Sequence, residues 1–278
     1  IIPAAMQRTS SFGAALASTD ENADAIPICD GSPWMELEAL AMMAASLPES
    51  AWVNMYQKAL SREAGFPSTT FAWQLNRQIP KKGPDLPEFV FLPEMGVMAS
   101  VRWLGAERVK LFLMGNRAGA GHTHEDKGSF VLEFAGDTFA LDPGTCDYSS
   151  PDSNLVKHCQ RHNMLVPTGL AERPHPTNLL PVDVKPSGKG DAQHFRATIN
   201  ATPGWETYYR HWARTWESSD PTRLAIRDEY ELAQGNGVDF YWNTRLPVRI
   251  GDGLVTITGQ RGKAEIQIPA SCTVNVEE

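Results

Sequence analysis

Apolar side chains change their spacing partway along the chain. From Trp34 onward, Leu37, Leu40, Ala41, Ala44 and Leu47 recur at intervals of three and four, which puts them on one face of a helix. Ser32-Pro33 is a start signal for that helix, a capping hydroxyl followed by proline at the first helical position. Pro48-Glu49-Ser50 ends it. A second helix is predicted over 50–64, with Trp52, Val53, Tyr56, Ala59 and Leu60 inward and Gly65 at its C-terminal cap. Residues 1–30 are small, polar and weakly periodic, and read as loop with one short helix near 12–17. Between 66 and 93 the prolines at 67, 80, 84, 87 and 93 exclude long helices and predict a connector laid over a surface.

From Met95 the period becomes two. Segments 97–104 and 108–114 are β-branched and aromatic, separated by Gly105-Ala106. Further strands are predicted at 164–166, 179–185, 194–200, 207–217, 222–232, 238–243, 254–258 and 264–268. Many short strands with no interleaved helices indicate an antiparallel β-sandwich. The expected organisation is therefore a helical segment over 1–65, a proline-rich connector over 66–93 and a mainly β domain over 94–278. Two antiparallel helices cannot bury both of their apolar faces. They are either an appendage of the β domain or the last pair of a larger helical domain.

Composition narrows the function. The chain has 278 residues, enough for one large domain or two smaller ones. A formal net charge of −8 excludes a nonspecific nucleic-acid binder, which needs a basic surface, yet leaves room for a local basic pocket that takes an anion. No apolar run reaches the length of a membrane span. The chain begins at Ile1 without methionine, so a segment upstream is expected and the N-terminus is silent about export. Cys29, Cys146, Cys159 and Cys272 lack CxxC spacing and read as scattered thiols. Cys146 with Cys159 is the one bridge worth considering.

Candidate chemistry concentrates in GHTHEDKGSFVLEFAGDTFALDPG, residues 121–144, and in RHN at 161–163. If 122–126 is extended, His122, His124 and Asp126 point to one side. Gly136-Asp137 is a two-residue hairpin signal. Pairing outward from it sets Phe134 opposite Phe139, Leu132 opposite Leu141 and Val131 opposite Asp142. The hairpin thus returns Asp142 to the point where the chain left the histidines, on the face away from the Phe130/Leu132/Phe134 stripe. His124, Asp142 and His162 make a His/Asp/His set suited to zinc, leaving His122 for proton transfer or substrate contact. His162 could equally be a hydrogen-bonded core histidine, and His158 could pair with it on one helical turn.

GHTHEDKGSFVLEFAG, then FALDPGTCDY and RHN, resemble the heparinase II/III-like family of polysaccharide lyases, which includes oligoalginate lyases. The resemblance covers 94–169 best and continues through 209–228. It implies a toroid of helical hairpins packed on a C-terminal β-sandwich, with residues 34–65 resembling the toroid's tail and the active site in the cleft between. It implies zinc ligands at His124, Asp142 and His162, with the ion a structural organiser. It places the catalytic histidine at His122 and an active-site tyrosine at Tyr148. Arg161 and Asn163 become candidate substrate-binding residues, Arg161 also as a cation that would lower the pKa of a tyrosine base. The implied partner is an anionic polysaccharide or oligosaccharide met in the periplasm or outside the cell, and an oligomer is left open. The family's other catalytic groups come from the helical domain, and residues 1–65 hold no histidine and one tyrosine, Tyr56. This chain alone is therefore expected not to turn over. Two other classes compete: a non-catalytic carbohydrate-binding sandwich braced by a metal, and a cupin-like metalloenzyme suggested by GHTH. Exposed-looking aromatics between Trp205 and Trp216 read as core rather than as a sugar platform.

Overall fold

Among the described residues, three helices of ten to fifteen residues lie on one face of a five-stranded sheet, and a second sheet lies on the other. The computed structural model describes residues 2–28, 31–62, 74–115, 123–176, 184–251 and 253–277. The helices are α1 (Ile2–Leu16), α2 (Leu37–Ser46) and α3 (Ala51–Arg62). The strands that follow are β1 (Phe89–Leu92), β2 (Val97–Leu104), β3 (Glu107–Met114), β4 (Ser129–Phe134), β5 (Asp137–Ala140) and β6 (Leu165–Thr168). Then come β7 (Pro186–Gly190), β8 (Phe195–Asn200), a single turn α4 (Thr202–Trp205), β9 (Tyr209–Asp220) and β10 (Arg223–Leu232). β11 (Gly237–Phe240), β12 (Val248–Gly251), β13 (Leu254–Thr258) and β14 (Lys263–Gln267) complete the order. The first sheet runs β1-β2-β3-β4-β5 and the second β10-β9-β8-β7, with smaller sheets from β11-β6 and β12-β13-β14. Among the described residues no helix is long and apolar enough to cross a membrane.

The two-sided burial of the first sheet explains its near-continuous apolar strands. Met98, Leu111, Leu113, Phe130 and Ala140 point to one side and pack on Phe195, Ala197, Ile199 and Trp216 of the second sheet. Their neighbours Val97, Ala99, Phe112, Met114 and Val131 point to the other side and share a core with Leu40, Trp52, Val53 and Tyr56 of the helices. Each such side chain contributes roughly 1.5–3 kcal/mol when fully buried, so the helices are held by the sheet. The first sheet is open, with β1 and β5 at its edges, flanked by layers, and does not close into a cupin-type barrel.

Two charged residues sit inside the helix-facing layer. Lys110 on β3 pairs in register with Glu133 on β4, and both are buried. Lys110 Nζ donates to the carbonyls of Ala14 (3.5 Å) and Ala17, where the end of α1 leaves oxygens without helical partners. Glu133 accepts from Ser18 Oγ (2.5 Å), Thr19 N–H (2.6 Å) and Thr19 Oγ1 (2.7 Å). Burial pushes the Lys110 amine down to about 8, against the pull of Glu133.

Several expectations need correcting. The short helix expected near 12–17 is a fifteen-residue helix, α1. Gly13 lets it close on Trp52, where an added Cβ would sit 2.6 Å from the indole, and Trp52 Nε1 donates to Thr9 O at 3.1 Å. The Ser32-Pro33 signal does not start α2. Ser32 Oγ accepts Trp34 N–H at 3.1 Å in a local turn, and the helix begins at Leu37 with Glu36 preceding it. β1 arises inside the proline-rich connector and pairs with β2. β7 and β12 are additional strands, and the strand expected at 179–185 falls mostly outside the described residues. The hairpin turns at Ala135-Gly136 (φ 50° and 85°), so Phe134 pairs with Asp137 rather than Phe139. A two-residue loop with both residues at positive φ prefers glycine second, which fixes Gly136 as the second loop residue. A register shift between Leu132 and Glu133 then sets Leu132 opposite Ala140.

Candidate metal centre

Three separate segments bring the site together. The first carries His124 in the loop before β4. Gly128, at φ 96°, turns this loop into the strand: its N–H donates to Met114 O (2.9 Å) and Ser129 N–H to Asp126 O (2.8 Å). The second carries Asp142 just beyond β5. Its Oδ1 accepts Gly144 N–H at 2.9 Å, and Gly144 is at φ 62° with no room for a Cβ, which would meet Gly31 O at 2.5 Å. The third carries His162 after three short 3-10 turns, Pro151–Ser153, Leu155–Lys157 and Cys159–Arg161. His162 N–H donates to Cys159 O (3.1 Å), and its carbonyl accepts Asn243 Nδ2 (2.9 Å).

His124, Asp142 and His162 are buried, and one donor atom from each lies within 4.8 Å of the other two. His162 Nδ1 is 3.1 Å from Asp142 Oδ2. Ligands about 2.0–2.1 Å from a tetrahedral zinc stand about 3.3 Å apart, so this pair already has ligand spacing. His162 Nε2 is buried with no hydrogen-bond partner among the described residues. A buried nitrogen left this way is costly unless something binds it. Each ring nitrogen of His162 thus offers a candidate ligand atom, Nδ1 beside Asp142 Oδ2 and Nε2 without a partner among the described residues. Two imidazoles and a carboxylate suit zinc better than calcium or magnesium, which take oxygen. The residues present fit the group.

The electrostatics point the same way. Burial lowers the His162 pKa, but Asp142, its hydrogen bond, Asp126 and Glu125 outweigh this and hold the imidazole above its ordinary value. Asp126 is fully buried and pushed up, chiefly by burial. The cluster therefore favours a positive charge at its centre.

The other expected residues are not gathered equally. His122 lies outside the described residues. Tyr148 is 59% exposed, with Lys157 Nζ 5.3 Å from its ring centre. Arg161 is exposed beside the site. Asn163 is buried and committed as a brace. Its Nδ2 donates to Phe130 O (2.7 Å) and Leu141 O (2.9 Å), and its Oδ1 accepts Asn243 N–H (2.7 Å). His158 stands in extended backbone before the last turn, outside the ligand set and without the one-turn pairing to His162. Cys146, Cys159 and Cys272 are free thiols, and Cys29 lies outside the described residues.

Several residues around the site carry roles that their local sequence did not signal. Arg214 is fully buried, forks onto Asp228 (2.7 and 2.9 Å) and donates through one NH to Gly128 O and Asn163 O, both at 2.9 Å. It ties the second sheet to the site. Trp205, Tyr209, Trp212 and Trp216 are core, as read. Glu125 makes an ion pair with Arg173, and no local pattern announces a partner so far along the chain.

The family model described as heparinase II/III-like, C-terminal, matches residues 84–275. No curated protein matches the chain. Among solved structures it is similar to a heparinase III, with TM-score 0.60 and 14% identity over 92% of this chain and 37% of that one. A heparan sulfate lyase from Pedobacter heparinus gives 0.59 and 15% over 91% and 37%. Another heparinase III gives 0.56 and 13% over 92% and 39%. Likeness at such identity is likeness of fold. The chain spans less than two-fifths of the length of these solved relatives.

Proposed function

The chain belongs to the heparinase II/III-like family, and from that premise we propose that it is the zinc-bearing C-terminal part of a polysaccharide lyase. The full-length enzyme would cleave a uronic-acid-containing glycan by β-elimination, in a cleft shared with a helical domain. The substrate is an anionic polysaccharide or oligosaccharide met in the periplasm or outside the cell.

The observation that carries this reading is the buried His124/Asp142/His162 set, whose ligand atoms lie within 4.8 Å of one another inside the stretch that the family model matches. Exposed Arg161 beside it is a cation suited to a ligand bearing carboxylates. In β-elimination a base removes the proton at C5, the C4–O bond breaks, a C4–C5 double bond forms and the departing oxygen takes a proton. The C5 proton is acidic only if the neighbouring carboxylate is neutralised, which is the task assigned to Arg161. His122 and Tyr148 are assigned the proton transfers. Zinc, when bound by His124, Asp142 and His162, supplies a fixed positive charge that joins the three loops. Asn163 keeps its position in the site as the brace between β4, β5 and the loop of Asn243.

The test uses the full-length protein on a panel of uronate polymers, following absorbance of the unsaturated product. Product from at least one polymer is expected, and His122→Ala should abolish it. No product across the panel would overturn the lyase reading; binding without product would favour a carbohydrate-binding module.

A further inference from the structure

We propose that Glu125 and Arg173 are positioning residues for the metal centre, a clamp that holds the loop of His124 against the turn of His162. The inference rests on the reading of His124, Asp142 and His162 as metal ligands. Glu125 follows His124 directly, and its N–H and one carboxylate oxygen reach across to the other segment. Its N–H donates to Lys157 O at 3.0 Å, and its Oε2 accepts Cys159 N–H at 3.0 Å. Cys159 in turn accepts the backbone N–H of His162. Any shift of the Glu125 carboxylate is therefore passed through one 3-10 turn to the second histidine.

Arg173 fixes that carboxylate. Its NH1 donates to Oε2, and its NH2 donates to Oε1 at 3.1 Å, a forked arrangement that sets orientation as well as charge. The Arg173 segment is itself anchored. Arg173 NH1 also donates to Pro174 O (3.0 Å), Cys159 Sγ lies 3.9 Å from the same oxygen, and His175 N–H donates to Tyr208 OH (2.7 Å). His175 Nδ1 stands 3.3 Å from Glu125 Oε1. Both carboxylate oxygens are thus occupied, which keeps Glu125 out of the ligand set. Its charge is answered by Arg173, next to a site that already holds Asp126 and Asp142. An ordinary surface pair joins two parts of the framework; this pair fixes the carboxylate that joins two ligand-bearing segments.

Residues that orient metal ligands typically change affinity by about 10–100-fold when removed. Zinc affinity is to be measured on this chain by competition with a chelating dye, and the site geometry by the visible spectrum of the cobalt-substituted protein. Arg173→Met and Glu125→Gln should each weaken zinc about 10–100-fold and alter the cobalt bands. The double variant should be no worse than the weaker single one, and Arg173→Lys should recover part of the loss. Arg210→Ala, which removes an exposed pair with Glu231, should change neither readout. Wild-type protein that takes up no metal would overturn the ligand reading. Wild type that binds zinc while Arg173→Met and Glu125→Gln match its affinity and spectrum would overturn the clamp alone. Near-ultraviolet circular dichroism checks that each variant is folded, and Glu125→Gln serves if Arg173→Met is not.

Discussion

Lys110 and Glu133 face each other across β3 and β4. Four residues further along the same strand pair, about 13 Å away, Met114 and Ser129 mark where the chain leaves the sheet toward His124 and Asp126. Both places bury charge, and they do so differently. Around Lys110 and Glu133 the charges meet the α1 carbonyls and the Ser18 and Thr19 donors, all within the chain. Around His162 the acids exceed the cations, the imidazole is held above its ordinary pKa, and Nε2 has no partner among the described residues. The first cluster fastens helices to a sheet. The second gathers three candidate ligands around a nitrogen that its own chain leaves unpartnered among the described residues.

The widest separation between the two should appear in metal linkage. With zinc a thousandfold above its dissociation constant, binding to the folded state adds about 4 kcal/mol. That increment should raise the thermal midpoint of the wild type and vanish with chelator. His162→Ala should show no rise, while Lys110→Met should keep all of it. A Lys110→Met protein that lost the zinc increment would show the two clusters to be one.

The same contrast explains what could be read without coordinates. The strands at 97–104 and 254–258 were legible because β-branched and apolar runs bounded by turn residues are local signals that survive packing. The gathering of His124, Asp142 and His162 into one place was legible because HxH, DPG and RHN are short patterns tied to a hairpin that returns on itself. The hairpin register was not, because it depends on which loop position Gly136 occupies. α1 was hidden for a different reason. Its Ala, Ser and Thr residues give little amphipathic contrast, and it is fixed by distant partners, Trp52 against Gly13 and Lys110 beneath its last turn. Arg173 was missed likewise: it meets Glu125 across the fold, and an arginine in sequence does not disclose which carboxylate it will find. Asn163 was expected at the substrate because it adjoins His162; burial instead spends its amide on three backbone groups.

A smaller effect should come from pH, and it belongs to the fastening cluster. Lys110 has an ordinary value of 10.5 and sits at about 8 when folded. Below about 8 it is charged in both states and carries its burial cost. Between 8 and 10.5 the unfolded chain binds more protons than the folded one, so this group's contribution rises with pH. The rise totals about 3 kcal/mol. Urea midpoints at neutral pH and near pH 10 should therefore differ between wild type and Lys110→Met by this gain, with the variant lacking it. Parallel pH responses in the two proteins would break the account of Lys110 as a desolvated amine.

The smallest effect expected is at Glu133. Its carboxylate takes three donors: Ser18 Oγ, Thr19 N–H and Thr19 Oγ1. Glu133→Gln keeps the shape but turns one acceptor into a donor that faces donors. The two hydroxyls can rotate to relieve the conflict, whereas the Thr19 N–H cannot. The loss should then be about 1–2 kcal/mol, near the lower end for a charge-assisted hydrogen bond. Removing the charge also deprives Lys110 of the carboxylate that raises its pKa, so the alkaline gain should begin at lower pH. Zinc affinity should not change, because the answered charges at Glu133 and the unanswered nitrogen at His162 serve different ends. Urea denaturation at two pH values, together with a zinc titration of the same variant, decides both points.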